Sequence, residues 1–303
     1  MAVGATEYTP PSGREIGDRQ NSRDALRLLL AQRKLYSQSK RWLALRWLGM
    51  LVIALAAPPI AVIWPNLAVV AGAVAGGWIF IGRTALFQLE QKTVERAASV
   101  QERFDFTVFG MPTTGIRSTL PSLEDIASLA GPDGKIADRA RKGNLNDWYP
   151  IDVNQSGLKT VAVCQRANAS YSDRLLNMTA RVWVVTLTVW IVVLIVASLV
   201  LKLSLSAFLL GAMLPLLPAF LDVWEYWRSI RRAAKDRRDL AMTIETRLGG
   251  SNQPVDSQDL LVWQERIFDL RRNAPQVPDF IYKITRKRNE AAMHTAADQL
   301  NQA

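Results

Sequence analysis

The side chains that most often do chemistry are scarce in this chain. It has one histidine, His294, and one cysteine, Cys164, in 303 residues. A zinc cluster, a disulfide scaffold and a Cys/His nucleophile pair each need at least two such groups, so none of them is expected. No P-loop, no G-x-S-x-G elbow and no H-E-x-x-H helix occurs, and the carboxylates are scattered along helical stretches rather than paired. His294 lies near the C-terminus, and Cys164 sits in an apolar setting where a thiol serves as a small core group. The sequence therefore offers no catalytic residue and no metal ligand, and the protein reads as something other than an enzyme.

What remains is charge and where it is placed. The chain carries 37 Lys+Arg against 27 Asp+Glu, a formal charge of +10. A mean hydropathy of +0.04 conceals a sharp segregation. From Trp47 to Leu86 the only charge is Arg83, and from Val182 to Leu221 the only charge is Lys202. Each block is about twice the roughly 20 residues that a helix needs to cross a bilayer core, so each reads as a hairpin of two spans. The first turns at Trp64-Pro65-Asn66, the second at Lys202 and Ser204. This excludes a water-soluble globule. Ala54-Leu55-Ala56 imitates a signal-peptide cleavage site, but 46 residues precede the apolar run and a second run follows it directly, so a cleaved leader is not expected.

Orientation follows the positive charge. Residues 1–46 hold nine Lys+Arg, residues 87–181 twelve and residues 224–303 fourteen, while the two hairpin turns hold only Lys202. Both termini and all three hydrophilic parts are expected in the cytoplasm. The sequons at Asn154, Asn168 and Asn177 are then chance matches. The parts are a basic N-terminal segment (1–46), a first hairpin (47–86), a helical cytoplasmic domain (87–181), a second hairpin (182–223) and a helical C-terminal region (224–303).

The spans carry their own signals. Ala68, Gly72 and Gly76 recur at four-residue steps, a small-residue stripe suited to close helix packing within one protomer or between copies. Pro58, Pro59, Pro215 and Pro218 are expected to kink or unwind the first and fourth spans, which would suit gating. Arg83 and Asp222 lie at the cytoplasmic ends of spans two and four, where they either snorkel or latch the hairpins as an ion pair. No span has a charge at mid-depth, which argues against a proton-coupled transporter.

The hydrophilic parts read as helices throughout. One continues the second span over residues 86–103. Short ones start at Ser122 and Lys135, another covers Val161–Leu176 and feeds the third span, and one runs from Trp224 to Leu248 before Gly249-Gly250. The tail adds Ser257–Arg272, capped by Ser257, and a last helix after Pro278. The fold class is an all-α membrane protein with a mostly helical cytoplasmic region.

Several phrases, in order around the two hairpins, resemble one family. They are Gln101-Glu102-Arg103-Phe104-Asp105 with Val108-Phe109-Gly110-Met111-Pro112, then Asp147-Trp148-Tyr149-Pro150, then Cys164-Gln165-Arg166-Ala167-Asn168, and finally Val277-Pro278-Asp279-Phe280-Ile281-Tyr282. The chain resembles the S-4TM family, the SMODS-associating four-transmembrane effectors of bacterial antiphage systems. It departs from the pattern at Thr113-Thr114, where Trp-Asn is expected, and at Tyr171, where a Trp is expected.

The resemblance implies an inner-membrane effector that oligomerises to permeabilise or depolarise the membrane. It implies control by a cyclic di- or oligonucleotide from a partner nucleotidyltransferase or cyclase, and no role in binding a nucleic acid duplex. An anionic cyclic nucleotide wants cationic donors and an aromatic stacking face. Trp148, Tyr149, Lys159, Arg166 and Arg174 are the candidates for that site, the alternative being that the aromatics fill a core and the cations cap helices or meet headgroups. The rival functions are a non-pore membrane-anchored scaffold and a small-solute transporter.

Overall fold

The computed structural model describes residues 8–113, 115, 117–209, 213–250 and 254–302, and every regular element among them is helical. Helix α1 (Gly13–Gln20) opens with a capping box in which the Ser12 hydroxyl accepts from the Glu15 N–H and the Glu15 carboxylate accepts from the Ser12 N–H. Helix α2 (Arg23–Ile63) starts at a Ser22 cap and runs unbroken for 41 residues. After the turn at Pro65–Leu67, α3 (Ala68–Ile81) returns alongside it. A five-residue π turn (Gly82–Leu86) then carries α3 into α4 (Phe87–Phe109) without a gap. Gly110 ends α4 at φ +64, a left-handed cap that glycine adopts without strain, and the Met111 N–H bonds back to the Phe106 carbonyl.

Two short helices follow, α5 (Leu123–Ala130), capped by Ser122, and α6 (Ile136–Lys142). Helix α7 (Gly157–Val200) is 44 residues long. It stops in a Schellman-type turn: Leu203 N–H reaches the Ser198 carbonyl, Lys202 N–H reaches the Leu199 carbonyl, and Lys202 sits at φ +50. One turn, α8 (Leu205–Phe208), precedes α9 (Leu214–Leu248). The tail forms α10 (Ser257–Arg272) and α11 (Asp279–Gln302).

The long helices pair antiparallel. Along α7 and α9, Arg166 meets Glu245, Asp173 meets Arg238, Leu176 and Ala180 pack on Ile230 and Ala234, and Trp183 meets Tyr226. Along α2 and its return partner, the Tyr36 hydroxyl donates to Gln101 at 3.1 Å, Arg46 pairs with Glu90 at 3.3 Å, and the Trp78 indole donates to the Arg46 carbonyl at 3.2 Å. Gly49 makes that approach possible, because a Cβ there would fall 2.0 Å from the Trp78 ring.

The molecule has two ends of opposite character. At one, Ile16, Leu29, Leu35, Phe104, Phe109, Ile136, Ile244 and Leu260 form one buried core contributed by eight helices, α1, α2, α4, α5, α6, α7, α9 and α10. At the other, apolar side chains face outward, with Val69 81% and Leu199 73% exposed. Leaving a large aliphatic side chain in water forgoes about 1.5–3 kcal/mol, so this end is made for hydrocarbon. Two helical runs are long and apolar enough to cross a bilayer, Val69–Phe109 and Gly157–Val200, and none of the most apolar window of the second is buried.

One detail differs from the sequence reading. The cap of α10 is Asp256, not Ser257, because the Asp256 and Asp259 carboxylates each accept the other's backbone N–H in a capping box. Helix α2 is continuous through Pro58 and Pro59 to Ile63. Helix α9 carries Pro215 in its first turn, where a missing N–H has no bond to lose, and Pro218 just beyond that turn. The side chains of Pro58, Ala68, Pro215 and Pro218 lie outside the described residues. The divisions expected at 46/47 and 181/182 fall inside α2 and α7, whose helices run through them.

Candidate functional site

Helix α11 lies antiparallel on α7, and between them is a cavity of about 30 Å³ lined by Arg166, Ser170, Tyr171, Arg174, Asn289 and Met293, among others. The 3.6-residue period sets α7's contribution, since positions 166, 170 and 174 fall four apart on one face. Arg166 pairs with Glu245 of α9 at 3.0 Å, yet its buried Nε has no partner among the described residues. Asn289 is 4% exposed and its side-chain NH₂ is likewise unpartnered. Burial, with Tyr282 alongside, pushes the Tyr171 hydroxyl above its ordinary value, so it stays a neutral donor. The arrangement is an anion-receptive lining of cations and donors, with room for one or two waters. Beyond α7, helix α11 is held by Lys40 to Asp279 at 2.6 Å, Gln155 to the Asn301 carbonyl and Arg286 to the Asn144 carbonyl.

The five residues proposed from the sequence do not converge. Arg166 and Arg174 share the cavity, and Lys159 lies farther along the same helix pair, donating to the Asn301 carbonyl at 3.3 Å. Tyr149 is elsewhere, 4% exposed between Phe104 and Phe109, with Trp148 half-buried against the same core. Tyr149 has no free face for stacking, and its hydroxyl is engaged. Tyr171, Asn289 and Met293 were missed. The legible signal for Asn289 is register: Ile281, Thr285, Asn289 and Ala297 form the buried stripe of α11, so a polar Asn stands where the period calls for an apolar side chain.

Beneath this interface lies a buried polar centre. Asp105 of α4, 1% exposed, accepts from Arg271 at 2.5 Å and Gln264 at 2.8 Å on one oxygen, and from the Tyr149 hydroxyl at 2.6 Å on the other. Gln165 of α7 extends the network to Gln264 and the Leu260 carbonyl. Burial, reinforced by Asp105, raises Tyr149 well above its ordinary value, so the hydroxyl keeps its proton. Arg237, also buried, donates to the Ala233 and Leu270 carbonyls, and burial lowers it to about 10. Cys164 is fully buried and burial pushes its thiol up, so it is inert.

A second charged centre sits where the packed body meets the apolar end. Arg83, in the π turn, donates through Nε to Asp222 at 2.6 Å and reaches Glu225 at 2.9 Å, so the two hairpins meet through this pair. About two turns inward, Arg46 pairs with Glu90, and burial raises the Glu90 carboxyl to about 7 although Arg46 pulls the other way. Beside them Trp47, Trp183 and Tyr226 form a cluster with ring centroids 4.5 to 5.7 Å apart. Gly72 and Gly76 face open space, with nothing within 4 Å of a Cβ on either. Gly72 and Gly76 therefore make no close contact with α2, where Gly49 meets Trp78 instead.

No group of three or more His, Cys, Asp or Glu positioned to hold a metal occurs among the described residues. No curated protein and no solved structure matches the chain. Residues 14–300 match the family model described as SMODS-associating 4TM effector domain, so the match takes in the packed body, the apolar end and the α7/α11 interface together. The chain belongs to the family of SMODS-associating 4TM effector domains, which is associated with nucleotide signalling.

Proposed function

We propose that this protein is an antiphage membrane effector whose apolar end crosses the bacterial inner membrane as two hairpins, with both termini cytoplasmic. In this reading its helical body responds to a cyclic di- or oligonucleotide made by a partner enzyme, and its copies assemble to permeabilise or depolarise the membrane. Membership of nearly the whole chain in the SMODS-associating effector family carries the reading. Three structural features support it. The helices α2, α3–α4, α7 and α9 run from the body into the apolar end without a linker, so a shift in the body moves the spans. The open face of Gly72 and Gly76 is available to a second copy. The Arg83 pair joins the hairpins through a contact that can break.

The nucleotide phosphates are received by Arg166 and Arg174, whose guanidinium groups suit phosphodiester oxygens. A cavity of about 30 Å³ is too small for a nucleotide, so the ligand favours the form in which α11 has swung away from α7. A ligand shifts a two-state equilibrium by its differential affinity for the two forms, and that difference here resides in α11. The test is dye and ion leak from liposomes carrying the protein, with a panel of cyclic di- and oligonucleotides. One nucleotide is expected to change the leak, and the R166A/R174A double variant is expected to lose at least tenfold in sensitivity to it. Tight liposomes under every condition, with the protein inserted and folded, would move the function to a scaffold.

A further inference from the structure

A second, larger cavity, of about 540 Å³, opens between α7 and the first half of α11. It is lined by Met178, Arg181, Val182, Val185, Ile284 and Arg288, with Thr186 and Thr285 beside them. Its chemistry is divided. Arg181 and Arg288 are exposed and make no ion pair or hydrogen bond among the described residues, whereas Val182, Val185 and Ile284 form an apolar wall, Ile284 being 72% exposed. The two cations come from different helices and face one opening, with no carboxylate in the lining.

The depth of the cavity is fixed independently. Trp183 follows Val182 on α7 and lies 5.7 Å from Tyr226 on α9, and Trp224 and Trp227, which flank Tyr226 within the same turn, pair at 4.9 Å. Such aromatic residues gather at the level of lipid headgroups. Arg181 therefore sits at the phosphate level and Val185 one turn inside the hydrocarbon. The exposed face of α11 repeats the same division, with Phe280 and Ile284 outward beside Lys283 and Lys287, the pattern of a helix resting on an anionic membrane surface.

We propose that this cavity binds an anionic phospholipid of the inner leaflet. Arg181 and Arg288 hold its phosphodiester, and an acyl chain lies along Val182, Val185 and Ile284. The shared chemistry is a phosphodiester, which a soluble cyclic nucleotide also carries. The apolar wall at hydrocarbon depth favours the lipid. The site rests on the reading that the apolar end lies in a membrane. Arg288 precedes Asn289, so a bound lipid clamps α11 onto α7 directly beside the smaller cavity, and membrane composition and nucleotide act on the same helix.

The test is native mass spectrometry of the full chain released from nanodiscs of mixed dioleoyl phosphatidylglycerol and dioleoyl phosphatidylcholine. Wild type is expected to retain phosphatidylglycerol preferentially. A basic residue at an anionic surface contributes roughly fivefold, so R181Q/R288Q is expected to lose about 25-fold of that preference. The charge-matched control K135Q/K142Q, on exposed positions far from the apolar end, is expected to keep it. Equal retention by wild type and R181Q/R288Q overturns the site. So does displacement of phosphatidylglycerol by added cyclic di-AMP only when both arginines are present, which would make this a soluble phosphodiester site. Failure of wild type to enter nanodiscs would instead sink the membrane reading, and the site with it.

Discussion

Asp105 and Asp222 are both carboxylates answered by arginine, and the two regions use that pairing for opposite ends. Asp105 is 1% exposed and saturated by Arg271 and Gln264 of α10 and by Tyr149 of the loop before α7. Asp222 meets an arginine whose side chain is 47% exposed and which it shares with Glu225. In the buried centre, removing either partner strands a charge away from water, so the pair fastens α4, α10 and the Tyr149 loop into one body. At the junction, Arg83 can turn to water or headgroups, so the contact joins two hairpins at less cost to separate. The chain thus has a fixed body and a separable joint, built from the same two residue types.

The largest effect that sharpens this comparison is expected from Asp105→Ala. It strands Arg271 and frees the Tyr149 hydroxyl, and it should cost about 3–5 kcal/mol, read by unfolding of the detergent-solubilised protein. A loss under about 1 kcal/mol would erase the distinction between body and joint.

Glu90, between the two regions, comes next. Its folded-state value of about 7 lies above the ordinary 4.5, so its favourable contribution is complete below about pH 4.5 and is lost as pH rises through about 7. Glu90→Gln should flatten stability between pH 5 and 8 and gain up to roughly 3 kcal/mol at the upper end. An unchanged pH slope would place the titration elsewhere.

Arg83→Ala is expected to change stability by less than about 1 kcal/mol while raising the basal leak of liposomes. If it destabilises as much as Asp105→Ala, the joint is a fastening too. The smallest effect belongs to Lys202→Gly at the hairpin tip, which relieves the left-handed backbone at φ +50 and should gain less than about 1 kcal/mol net. Both carboxylate centres should be untouched, as an unchanged leak would report.

The helices were legible because their signals are local. The caps at Ser122 and Gly249, the stop at Gly143 and the two uncharged blocks each act within a few residues, and the helices end where those residues stand. The meeting of Arg83 with Asp222 is one of the two alternatives the sequence offers, since each stands at the end of an apolar run. The pairing of α7 with α11 was not legible, because it joins segments about a hundred or more residues apart, and the period of α11's buried stripe does not say which helix covers it. Trp148 and Tyr149 show the complementary failure. Their aromatic character suits stacking on a base and filling a core equally well, and only the approach of Phe104, Phe109 and Asp105 decides for the core.

The continuity of α7 makes it a beam with a fulcrum. Trp183, clasped by Trp47 and Tyr226, stands about 17 residues from Arg166 on one side and about 17 from the helix end at Val200 on the other, roughly 25 Å each way. Arms of equal length transmit displacement at about one to one and in reverse. If α7 tilts as a rigid rod about that clasp, drawing Arg166 outward by an ångström swings the far tip inward by about as much. The motion at the far end of the helix then carries the amplitude of the event at the cavity, with its direction inverted.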